Sequence, residues 1–140
     1  GELEAAATRL EKLVAREPRQ WDAQYELATA WRRLGRDEEA RQKFAEVQEA
    51  RTQLGLATHL TRLSLQNPTK ADLRFRIGQI QLRYGDEADG VQWLQGVLEL
   101  IPKHRSALEL LVKHFESRGE GDSEARSLAT QYRRQLDALR

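Results

Sequence analysis

Glycine and proline recur along this chain at one interval. Gly1 to Gly35, Gly85 to Gly119 and Pro68 to Pro102 are each 34 residues apart, while Gly35 to Gly85 and Pro18 to Pro68 are each 50. Both residues punctuate helices: glycine adopts turn conformations without steric strain, and proline inside a helix removes a hydrogen bond. Punctuation at a fixed period of this size marks stacked supersecondary units, none of which can bury its apolar face alone. The chain is therefore expected to be an array of helical units stabilised by their neighbours. Binding, through the surface that stacking creates, is the default function of such an array.

The composition agrees. At 140 residues the chain suits a single domain, 1–140, and its 23 Lys and Arg against 22 Asp and Glu leave a formal charge of +1. That balance supplies no global field toward nucleic acid or a membrane surface. Without cysteine there is no disulfide framework, thiolate metal site or cysteine nucleophile. The same absence suits a reducing or an oxidising compartment, so localisation stays open between cytoplasm and periplasm. No apolar run approaches the ~20 residues that span a bilayer, so no membrane insertion is expected. A chain that starts at Gly1 and lacks Met reads as one domain of a longer protein.

Between each Pro and the next Gly, residues 20–34, 70–84 and 104–118 each read as one helix, with Leu27, Ala28 and Trp31 at helical spacing in the first. These are the first helices of pairs. Acidic openings follow each Gly at Asp37-Glu38-Glu39, Asp86-Glu87 and Asp122, as suits the positive end of a helix dipole. Apolar residues then recur at i, i+4 and i+7: Ala6, Leu10, Leu13; Ala40, Phe44, Val47; and Gly90, Leu94, Val97. Small residues at Ala6, Ala40, Gly90 and Ala125 would let the helices of a hairpin approach closely. The closing segment, 123–139, carries Arg and Gln on one side and Leu128, Tyr132 and Leu136 on the other, the pattern of a solvating cap.

The irregular step of 50 is the 34-residue unit plus sixteen residues, about four and a half helical turns. Offset by 50, Ala6 pairs with Leu56, Leu10 with Leu60, Leu13 with Leu63, Leu27 with Ile77 and Phe44 with Leu94. The spacing predicts submodules 1–53 and 54–140 joined near residues 51–55. Gly55 costs a helix interior about 1 kcal/mol relative to Ala, yet residues 50–54 hold no Pro, Asn or Asp to stop one. One long helix from 37 to about 65 is favoured over two, within about eight helical segments in all.

These residues resemble the tetratricopeptide repeat family, helix-turn-helix units of 34 residues. Leu27 and Ala28 stand at the family's Leu-Gly pair, Trp31 at its aromatic, Gly35 at its turn glycine, Ala40 at its small position and Phe44 at its second aromatic. Ile77-Gly78, Gly85, Leu94, Val97 and Pro102 repeat the pattern, and Leu111, Phe115 and Gly119 begin another unit. Gln81 replaces an aromatic and Gly90 an alanine, departures expected to weaken packing. The resemblance implies an all-α solenoid with a right-handed superhelix, and a protein- or peptide-binding scaffold whose concave groove is lined by the first helices. Groove positions fall at Asp22, Tyr25, Thr29, Arg32 and Arg33, then Asp72, Phe75, Gln79, Leu82 and Arg83, then Glu109, Lys113 and Glu116. Of these, Tyr25, Thr29, Arg32, Phe75, Gln79, Arg83 and Lys113 are the candidate ligand contacts. Tyr25 and Phe75 would grip apolar side chains and the cations would engage backbone or acids. Against this stand packing of the two rings on neighbouring helices and a simple solvated face for the cations. The Lys and Asn clamp of the family's chaperone-binding subgroup is absent, its places held by Tyr25, Thr29, Glu109 and Lys113.

Catalytic chemistry finds no foothold. His59, His104 and His114 form no i, i+4 pair, so neither a metal site nor a cofactor is expected. Asp86-Glu87-Ala88-Asp89 has no accompanying phosphate loop, and no G-x-S-x-G elbow occurs. Two other roles are compatible: a helical-repeat binder of single-stranded RNA, opposed by the 34-residue unit and a register interrupted after one unit, and a self-associating assembly module.

Overall fold

A computed structural model describes all residues, Gly1–Arg140. It holds seven α-helices and no strand: α1 (Glu2–Arg16), α2 (Trp21–Arg33), α3 (Asp37–Gln66), α4 (Ala71–Tyr84), α5 (Glu87–Leu100), α6 (Arg105–Arg118) and α7 (Ser123–Asp137). The count is seven and not about eight, because 37–66 is one helix of 30 residues. At 1.5 Å per residue it is about 45 Å long. Gly55 does not interrupt it, since neither neighbouring turn offers a competing cap. The chain divides into two compact units, Gly1–Leu56 and Ala57–Arg140.

In unit 1, α1 packs on α2. The contact line on α1 is Leu3, Ala7, Leu10 and Val14, against Leu27, Ala30, Trp31 and Leu34. Ala7 is therefore the buried small residue of α1, and Ala6 lies half-buried beside the line. The line through Ala7 wins because it adds Leu3 and Val14 at helical spacing. A Schellman turn ends α2: Gly35 stands at φ 83, its N–H donates to Arg32 O at 3.1 Å, and Arg36 N–H donates to Trp31 O at 2.8 Å. Ala40, Val47 and Ala50 are buried along the first half of α3.

In unit 2, α4 packs on α5, α6 on α7, and α5 on α6. Leu94, Val97, Leu108, Leu111, Val112, Tyr132 and Leu136 form most of its core. Gly78 and Gly90 set the closest approach of α4 and α5: a Cβ on Gly90 would lie 2.8 Å from the Leu82 nitrogen, and one on Gly78 would lie 2.9 Å from Leu94. Gly90 thus permits the packing it was expected to weaken. Gln81 also has a positive role, as its Oε1 accepts from the Asp86 N–H at 3.1 Å in the turn after α4. Side chains cap three helices, Asp86 on α5, His104 on α6 and Asp122 on α7. At His104 the acceptor is Nδ1, 3.1 Å from the Ala107 nitrogen. The turn glycines do not all share one conformation, for in the α6–α7 loop the positive φ falls on Gly121 and not on Gly119.

The 50-residue offset is visible as a repeated contact. Gln24 Nε2 donates to Pro18 O at 3.0 Å in unit 1, and Arg74 Nη2 donates to Pro68 O at 2.8 Å in unit 2. Arg74 also reaches Gly96 O at 2.8 Å, where a side chain on residue 96 would crowd the guanidinium.

Candidate functional site

The candidate contacts divide between the units, three in the first and four in the second. In unit 1 the buried face of α2 is Gln24, Leu27, Ala28 and Ala30. Tyr25, Thr29 and Arg32 lie away from that face, with Tyr25 44% exposed. Thr29 Oγ1 donates to Tyr25 O at 3.1 Å, a local back-bond that occupies its hydroxyl hydrogen. Tyr25 meets Phe44 of α3 edge to face, centroids 5.2 Å apart. The Arg32 guanidinium lies 5.0 Å from the Phe44 centroid, and that of Arg51 lies 5.1 Å from the Tyr25 centroid. Arg51 also pairs with Asp22 at 3.1 Å. Packing and exposure coexist at Tyr25: one edge is used by Phe44, and much of the ring remains open.

Phe44 and Arg51 are the residues that sequence reasoning did not place at this face. In the sequence Phe44 reads as the second aromatic of the repeat, and Arg51 falls at the joint near residues 51–55. Their signal was their seven-residue spacing on α3, which puts both on one side of the helix. The contact to α2 spans 26 residues from Tyr25 to Arg51 and has no local signature.

In unit 2, Phe75 is half-buried against the core and lies 5.1 Å from the His104 ring. It packs more than it presents. Gln79 Oε1 accepts from Arg76 Nη1 at 3.4 Å, and the exposed Arg83 lies over the Tyr84 ring at 5.3 Å. Lys113 is exposed on α6 beside an open groove of ≈ 610 Å³ that it lines with Glu109, Val112, Glu116, Arg133 and Leu136. Arg133 donates to Glu116 at 2.9 Å, and this hydrogen bond raises the Arg133 pKa above its ordinary value. Elsewhere in unit 2, Glu87 at the start of α5 takes the Arg118 guanidinium of α6 and stands 3.6 Å from His114 Nδ1.

A second group of charges in unit 1 ties its helices together. Trp31 donates from Nε1 to Glu11 Oε1 at 2.9 Å, while Arg36 lies 4.7 Å from its ring centre. Arg36 forks onto Glu39 at 2.8 and 2.6 Å. That fork holds the Glu39 carboxyl below its ordinary value and pushes Arg36 upward. No three His, Cys, Asp or Glu side chains stand close enough together to hold a metal ion. No helix is long and apolar enough to cross a membrane.

Comparison with known proteins adds the following. The family model of the tetratricopeptide repeat matches residues 1–54. A crystal structure of MamA is similar over 97% of this chain and 87% of that chain, with a TM-score of 0.55 at 16% identity. A second MamA crystal structure gives a TM-score of 0.52 at 14% identity, over 97% of this chain and 81% of that one. At such identities the likeness shows a shared helical fold. No curated protein matches the chain in sequence.

Proposed function

With residues 1–54 matching the tetratricopeptide repeat family and the rest of the chain continuing in packed helices, we propose that this protein is a non-enzymatic scaffold that binds a protein or peptide. The first helix of each hairpin presents the binding residues: Tyr25, Thr29 and Arg32 on α2 in unit 1, and Phe75, Gln79, Arg83 and Lys113 on α4 and α6 in unit 2. No cofactor enters this reading. What supports it most is Tyr25, a large aromatic 44% exposed on the face of α2 opposite its buried residues. Exposed aromatics on a rigid frame anchor many protein interfaces, because they bury large area at small entropic cost.

Selection of a displayed random peptide library on the full chain tests this. The recovered peptides should bind Tyr25→Ala about tenfold more weakly than wild type, the loss typical of a removed anchor. The thermal unfolding midpoint should fall by only a few degrees, since the ring contacts Phe44 and Arg51 but joins neither core cluster. A library that yields no binder, or binders indifferent to Tyr25→Ala, Arg83→Ala and Lys113→Ala alike, refutes the reading.

A further inference from the structure

The aromatic pair of unit 1 does more than present a ring. Stacking engages the flat face of a guanidinium and leaves its N–H donors, which lie in the plane, directed outward at the edge. The Arg32 and Arg51 guanidinium carbons lie over Phe44 and Tyr25, 5.0 and 5.1 Å from the ring centroids, so each cation is held at a ring face by cation–π attraction, on two rings that meet edge to face. Neither fork needs to be ordered at the moment of binding, so less rotamer entropy is lost when a carboxylate arrives. No carboxylate lies within ion-pair reach of Arg32, nor of the exposed Arg33 beside it. Arg51 holds Asp22, whose side chain is 95% exposed. A pair that open to water is weak and exchanges readily with another acid.

Resting on the protein-binding reading above, we propose that this face of unit 1 selects an acidic peptide segment. One Asp or Glu carboxylate of the partner seats on the free edge of Arg32, a second replaces Asp22 on Arg51, and an apolar side chain between them lies on Tyr25. Charge complementarity decides the occupant. The exposed cations Arg32 and Arg33 outnumber the one exposed acid without an ion pair on this stretch of α2, Glu26, and the acid paired at the rings, Asp22, is the one a ligand would displace.

The test is fluorescence anisotropy on the full chain with two labelled probes, a peptide of alternating Asp and Leu and its Asn and Leu counterpart. The acidic probe should bind about tenfold more tightly at low salt, and the preference should shrink as NaCl screens it. Arg32→Gln should weaken the acidic probe roughly fivefold, the worth of one exposed charge pair, and Arg32→Lys should not restore it. Asp22→Asn should tighten it by releasing Arg51, an effect opposite to that of a disrupted fold. Arg9→Gln on α1 is the control for net charge and should leave binding unchanged. Equal affinity for both probes, lost in Tyr25→Ala, overturns the acidic selection while the binding role stands. Failure of both probes to bind overturns the two together. A loss in Arg9→Gln equal to that in Arg32→Gln also overturns it, as does tighter, Arg32-dependent binding of labelled oligouridine, which would favour nucleic acid.

Discussion

Adding one methyl group has opposite consequences at Gly90 and at Gly55. A Cβ at Gly90 would enter the backbone and side chain of Leu82, so α4 and α5 must separate to admit it. Overpacking of this kind outweighs the helix propensity that alanine gains, and Gly90→Ala should lower stability by about 1–2 kcal/mol. A Cβ at Gly55 meets nothing within 4 Å inside a helix, so Gly55→Ala should raise stability by about 0.5–1 kcal/mol. Urea titrations of the two variants against wild type read both signs. A charged residue supplies a pH prediction. Because Arg36 holds the Glu39 carboxyl below its ordinary value, the pair's contribution is present at neutral pH and is lost as pH falls through the folded value. Arg36→Gln should move the Glu39 titration midpoint upward toward the ordinary carboxylate range, as followed by carboxyl carbon NMR.

The helices themselves depend on local chemistry that differs from one end to the next. Asp122 accepts the Ala125 N–H at 3.0 Å and opens α7, so Asp122→Ala should cost about 1 kcal/mol and lower the melting temperature. Helix positions were legible in the sequence, because Gly and Pro spacing and apolar period both act within a few turns. Continuity of α3 was legible for the same reason, by the absence of any stop signal in residues 50–54. The register of α1 was not, since two apolar lines share Leu10 and only the partner helix chooses between them. Gly90 was misjudged on similar grounds: whether a missing side chain loosens or permits a contact depends on Leu82 across the hairpin. The candidate face was half legible. Tyr25 and Arg32 follow from position on α2, while the contributions of Phe44 and Arg51 depend on packing that no local pattern encodes.

Across the whole molecule the two units are built of unequal material. The buried apolar residues of unit 1 are Ala7, Leu27, Ala28, Ala30, Ala40, Val47 and Ala50, five of the seven being alanine. Unit 2 buries Ile77, Ile80, Leu94, Leu108, Leu111, Tyr132 and Leu136 among others. Apolar area sets the driving force, and alanine contributes the least of it. Repeat arrays open locally where neighbour contacts are weakest, so amides of α1 and α2 should exchange with solvent sooner than those of α5 and α6. Hydrogen exchange followed by mass spectrometry measures this, and equal protection throughout would count against it. One consequence concerns Asp22, the exposed acid seated on Arg51. Tethered to the same chain, it acts as a resident competitor whose local concentration is in the millimolar range. A solitary acid that displaces it exchanges one weak pair for another and gains little, whereas a sequence bringing several carboxylates also reaches Arg32. The face therefore has a threshold as well as a preference, and the threshold is set by a residue that no partner needs to touch.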